Sequence, residues 1–175
     1  MKKISLLVGM FLLSVTMMAQ GTVITKYMNQ YAANEKFTKV SVSQKMFSMF
    51  TSLEAGSPAE KEFLLAVSKL KGLKVLMADS IPNSMAIYKQ AVADVNKAAY
   101  EELVSVNDAR GNILFSTKES NGIISELIMV AGSKKQFIMI SLYGDIDLKN
   151  ISKIAQQMRV PGFDQLKHID DAKHK

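Results

Sequence analysis

Few side chains in this chain could do chemistry. Asp145 and Asp147 form a D-x-D pair, Asp79 follows an apolar run, and Glu126 interrupts the apolar stretch ISELIMV. Paired carboxylates offer oxygen ligands to Mg²⁺ or Ca²⁺. A carboxyl group among apolar neighbours can act as an acid or base. Each has a plainer reading, which the spacing favours. One aspartate caps a helix and the other faces water, while Glu126 sits outward at a strand end or pairs with a lysine across the sheet. The two histidines, His168 and His174, fall in a polar C-terminal stretch, and a catalytic imidazole needs a fixed orientation. With no cysteine there is no thiol nucleophile, no disulfide framework and no thiolate-held metal. The glycines spell neither a P-loop nor G-x-G-x-x-G, so no cofactor is expected.

The chain is also rich in methionine, with 12. Met46, Phe47, Met49 and Phe50 put four large apolar side chains into five positions. They cannot all face one side of a helix. Some must be covered by a neighbouring element or stay open to a partner or lipid.

Periodicity supplies the elements that would carry these residues. Residues 22–36 read as a helix with Val23, Tyr27 and Tyr31 inward, and 37–42 (FTKVSV) as a half-buried strand. Residues 44–53 return to helical spacing. Ser57, Pro58 and Glu60 form a capping box with Pro at the first helical position, and the helix is expected to run to about 71, closed by Gly72. A strand over 73–78 and a helix over 84–99 follow. Strands over 103–107, 112–118 and 123–131 are then separated by loops bearing Gly111 and the pair Asn121-Gly122. Residues 137–142 (FIMISL) are apolar at both parities, as in an inner strand. Gly144 reads as a turn, and Asp145 or Asp147 as the cap of a helix over 148–158 whose apolar face holds Leu148, Ile151, Ile154, Ala155 and Met158. Strands following mixed helices predict an α+β fold, a mostly antiparallel sheet with a C-terminal β-meander and helices packed mainly on one face.

The stretch LYGDIDLKNISKIAQQM, with YEELVSV at 100–106 and IISEL at 123–127, resembles the exported Bacteroidetes family known as domain of unknown function 4252. The resemblance spans about 22–158. It implies an exported α+β domain and brings no activity, cofactor or catalytic residue with it. Some members resemble lipoproteins with a cysteine at the cleavage site; this chain has none.

Length and composition agree with one globular domain. Lys2 and Lys3, the apolar run 4–18 and Ala19 form a secretory signal peptide by pattern, with cleavage expected near Ala19. The expected organisation is a signal peptide over 1–19, one domain over 20–162 and a polar tail over 163–175. Without Lys2 and Lys3 the formal charge falls from +6 to +4, the lysines are scattered beside acids, and arginine occurs only at 110 and 159. That argues against nucleic acid as a partner.

The sequence therefore points to a periplasmic or secreted binding module for an unknown envelope protein, without catalytic activity. Contact is expected through Met46, Phe47 and Phe50, through Tyr143, Asp145 and Asp147 at the GDID stretch, and through Glu126. Two alternatives stand beside it. One is a binder of small apolar ligands or of lipid at a membrane surface. The other is a hydrolase using Glu126, Asp145 and Asp147, which requires those carboxylates to converge. Oligomeric state is open.

Overall fold

The computed structural model describes residues 22–50 and 55–147. Six strands form one fully antiparallel sheet: β1 (Phe37–Ser43), β2 (Leu70–Ala78), β3 (Glu101–Asn107), β4 (Asn112–Ser120), β5 (Ile123–Gly132) and β6 (Phe137–Ile146), in the order β1-β2-β6-β5-β4-β3. The β3–β6 meander is as the sequence pattern predicts. Asn121 and Gly122 both take positive φ (54° and 76°) at the β4–β5 turn, the conformation for which an Asn-Gly pair is suited. Among the described residues there are four helices, α1 (Thr22–Gln30), α2 (Gln44–Phe50), α3 (Pro58–Ser68) and α4 (Ser84–Lys97). No described helix is long and apolar enough to cross a membrane.

α1 and α4 cover one face of the sheet. Their inner residues recur at helical spacing: Val23, Ile24 and Tyr27 on α1, and Ile87, Tyr88, Ala91 and Val95 on α4. They bury Leu76, Leu114, Ile128, Val130, Phe137 and Met139 from the strands. Each large side chain so buried contributes about 1.5–3 kcal/mol. Tyr31 stacks on Phe37 at 4.0 Å between ring centroids, which pins the end of α1 to the start of β1. The capping box forms as expected: the Glu60 N–H donates to Ser57 Oγ at 3.2 Å, and Glu60 Oε2 accepts from the Gly56 N–H at 2.7 Å. Such a cap contributes about 1 kcal/mol.

α1 and α4 are also joined through Asp94, whose Oδ2 accepts from Lys26 Nζ and from Tyr27 Oη, each at 2.8 Å. The Lys26 bond chiefly, then that of Tyr27, holds the Asp94 carboxyl below its ordinary value of 3.8. A depressed native pKa adds stability above the unfolded value, and that stability is lost as pH falls through the native one. We expect Asp94→Asn to be less stable than the parent at neutral pH. The gap should close as pH drops below about 3.8, as read by denaturant melts across pH.

Two glycines depart from their expected roles. α3 ends at Ser68 rather than near 71, and Gly72 lies inside β2 instead of closing the helix. It stands opposite Tyr143, whose ring occupies the space a side chain at 72 would need. Gly144 makes no turn; β6 continues through it to Ile146, so Asp145 is a strand residue rather than a helix cap. The expected helix over 148–158, the signal segment and the polar tail lie outside the described residues.

Candidate functional site

The second face of the sheet is apolar across most of its width. One row of partners runs Val40, Val75, Ile140, Met129, Phe115 and Val104 from β1 to β3. The next runs Thr38, Met77, Ile138, Ala131, Ile113 and Val106, and on the other side of the first lie Val42, Leu73, Leu142 and Leu127. Side chains directly opposite in register share a face, so these rows form one continuous surface. Its two ends differ. On β4 and β5, Phe115, Leu127 and Met129 are 0%, 2% and 3% exposed. On β1 and β2, Val40 and Met77 are exposed, with Val42, Leu73 and Val75 half-buried.

α2 follows β1 directly and contacts β1, β2 and α3. Its Phe47 packs against the cluster on this second face. Met46 and Met49 are 49% and 59% exposed. Leu65 of α3 is exposed as well. Of the MFSMF run, Phe47 therefore turns inward and the two methionines are exposed. Of Phe50 only the helical backbone is described.

Glu126 is not outward-facing. It is 4% exposed, on the face covered by α1 and α4, and its carboxylate accepts from Tyr100 Oη at 2.7 Å and Ser141 Oγ at 2.5 Å. Burial first, then the neighbouring Glu126 charge, pushes the Tyr100 hydroxyl well above its ordinary range, so it stays a donor. Lys118 and Tyr143 are the cross-strand neighbours of Glu126. Lys118 Nζ lies 5.3 Å from the Tyr100 ring centroid and donates to the Ala98 carbonyl oxygen at 3.3 Å. Lys74 Nζ lies 5.9 Å from the Tyr143 ring and donates to Thr25 Oγ1 at 2.6 Å. Ser116 Oγ, on the same face, is buried and has no hydrogen-bond partner among the described residues. This is a polar plug at one end of the helix-covered core. It joins Glu126 and Tyr143 from the candidate set to Tyr100 and Ser141, which local sequence does not mark, because their link to Glu126 spans 26 and 15 residues.

Asp145 and Asp147 line a cleft of about 200 Å³ with Ile146 and with Glu62, Leu65, Ala66, Lys69 and Leu70 from the α3–β2 segment. Asp145 is exposed, 3.4 Å from Lys71 Nζ. Glu126 does not line this cleft. Asp79 accepts from Gln136 Nε2 at 2.7 Å. Among the described residues no group of three His, Asp or Glu side chains stands close enough to hold a metal ion. His168 and His174 lie outside the described residues.

The family model described as a domain of unknown function (DUF4252) matches residues 31–154. No curated protein matches the chain. No solved structure matches it either. The match covers the sheet from β1 to β6 with α2, α3 and α4, so the chain belongs to the DUF4252 family.

Proposed function

We propose that this is an exported envelope protein without catalytic activity of its own, which binds another protein through the apolar surface formed by β1, β2, α2 and α3. One observation carries the reading. Among the described residues six large apolar side chains are exposed, and five of them (Val40, Met46, Met49, Leu65 and Met77) belong to these four elements. Scattered exposed apolar residues are ordinary, whereas a concentration on one side marks an interaction surface. Methionine suits such a surface because its unbranched side chain adapts to the groups it meets. The fitting partner is a protein segment that offers large apolar anchors.

Export rests on the signal-peptide pattern over 1–19. The Glu126 network supports a structural role for that carboxylate, since both of its hydroxyl partners are themselves buried and it lies apart from the Asp145–Asp147 cleft.

The test is capture from envelope extract on the immobilised chain, compared with Met46→Asp and Met49→Asp. Both side chains are exposed, so neither change should shift the melting temperature. Each is expected to reduce retention of a dominant protein about tenfold or more, as loss of a central apolar anchor does. Unchanged retention contradicts the reading, and retained lipid without protein moves it to the lipid-binding alternative.

A further inference from the structure

The sheet ends in β1 on one side and β3 on the other. An edge strand presents unpaired N–H and C=O groups, and proteins blunt such edges with charge, proline or bulges. β3 carries two of these devices. Glu101 and Glu102 are exposed, and its pairing with β4 shifts register between Glu102 and Val104. β1 is not protected in this way. Its seven residues, FTKVSVS, pair with β2 without a shift and include no proline. Its one charge is drawn aside: Lys39 Nζ donates to the carbonyl oxygens of Tyr31 and Ala32, at 2.9 Å each, just past the end of α1. Thr38, Val40, Ser41 and Ser43 are exposed, and among the described residues no strand pairs with the outer side of β1.

The ladder fixes which backbone groups of β1 face outward. The Asp145 N–H donates to the Lys69 carbonyl, so by alternation β6 also turns Ser141 and Met139 toward β2. Their partners Lys74 and Leu76 are thereby engaged with β6, which leaves Leu73, Val75 and Met77 to bond β1. Val42, Val40 and Thr38 therefore bond inward, and Lys39, Ser41 and Ser43 turn their N–H and C=O groups out. The Phe37 N–H agrees, since it donates to the Asn34 carbonyl at 3.1 Å.

We propose that β1 pairs antiparallel with β1 of a second copy of this chain, about a twofold axis at Val40, joining the two six-stranded sheets edge to edge. In this register the strand is its own complement. Lys39 of one copy exchanges both backbone bonds with Ser41 of the other. Val40 meets Val40 on the axis, and Thr38 meets Val42 on either side of it, all β-branched and all on one face. An axis at Lys39 would set two like charges directly opposite, which is destabilising. An axis at Ser41 would leave Phe37 and Thr38 unpaired. The apolar row that ends at Val40 then continues across the axis into the same row of the second copy. The contact uses the backbone edge of β1, so it stands whether or not the apolar surface of β1, β2, α2 and α3 takes another protein.

The absence of native cysteine gives a clean test on the full chain. Residues facing each other in a non-hydrogen-bonded antiparallel pair have Cα atoms about 4.5 Å apart, within the span of a disulfide. Under mild oxidation Val40→Cys should give a disulfide-linked dimer. Thr38→Cys and Val42→Cys chains should link to each other when mixed and not to themselves. Val40→Lys, at an exposed position, should weaken self-association in sedimentation equilibrium about tenfold without unfolding the chain. Met46→Asp and Met49→Asp should leave the Val40→Cys dimer intact, so a failed capture experiment and a failed edge pairing are read separately. Loss of the dimer in either of these variants would place the second copy on the apolar surface and overturn the edge pairing. So would a chain that stays monomeric, or a Met77→Cys variant, one strand in from the edge, that links as readily as Val40→Cys.

Discussion

Gly144→Ala is expected to destabilise the protein by about 3 kcal/mol or more, one of the two largest effects anticipated here. Gly144 has φ +145°, a conformation that L side chains rarely adopt. A Cβ there would also sit 2.5 Å from the Lys69 carbonyl oxygen, 2.8 Å from Leu70 Cα and 2.8 Å from the Lys71 nitrogen. All three are backbone atoms, so no side-chain rotation relieves the contact. The close approach is part of the pairing of the strands. Leu70 stands opposite Gly144, the register shifts between Leu70 and Gly72, and the Asp145 N–H donates to the Lys69 carbonyl at 3.1 Å. Gly122 separates the two causes. It too has positive φ (76°), but nothing lies within 4 Å of a Cβ placed there. Gly122→Ala should therefore lose only about 1 kcal/mol, the cost of the left-handed backbone. Denaturant melts of both variants decide the matter: equal losses would mean that the backbone contact at Gly144 contributes nothing.

The second large effect is at Glu126. Glu126→Ala removes the acceptor of two buried hydroxyl groups, Tyr100 Oη and Ser141 Oγ. A buried donor deprived of its partner loses about 1–3 kcal/mol, and bonds to a charged acceptor lie at the upper end. The expected loss is about 4 kcal/mol. Glu126→Gln keeps the shape and one carbonyl acceptor, so roughly half that loss is expected. Tyr100→Phe combined with Glu126→Gln should be less than additive, because the first change removes the donor that the second leaves unserved. Full stability in Glu126→Gln would show that the network does not need the carboxylate, and the residue would return to consideration as a catalytic group.

The sequence and the structure agree where local pattern decides the outcome. Alternating runs and the unbroken apolar run FIMISL marked the four meander strands, Asn121-Gly122 marked a turn between them, and Ser57-Pro58-Ala59-Glu60 marked the start of α3. They part where the reason for a residue lies elsewhere in the chain. Gly72 and Gly144 look like punctuation, and both lie inside strands. What demands glycine at each is the other strand, the Tyr143 ring for one and the Lys69–Lys71 backbone for the other, some 70 residues away. Glu126 is similar. ISELIMV shows a carboxylate in an apolar run, but its two donors come from the start of β3 and the middle of β6. For the candidate surface, the crowding of Met46, Phe47, Met49 and Phe50 was enough to say that they cannot all face one side, but not whether a neighbouring element covers the rest. That Val40 and Met77 join the exposed methionines was hidden, because alternation says which face a strand residue takes and not whether that face is covered.

The measurement that tests the central claim most directly is photocrosslinking in the cells that make this protein, with a photoreactive residue at position 49 and, separately, at position 108. Position 49 lies on the exposed side of α2. Position 108 is in the β3–β4 loop, away from the four elements of the apolar surface. The account predicts a discrete protein adduct from position 49 and none from 108, lost when Met46→Asp is added. No protein adduct at 49, or the same adducts from both positions, would contradict it.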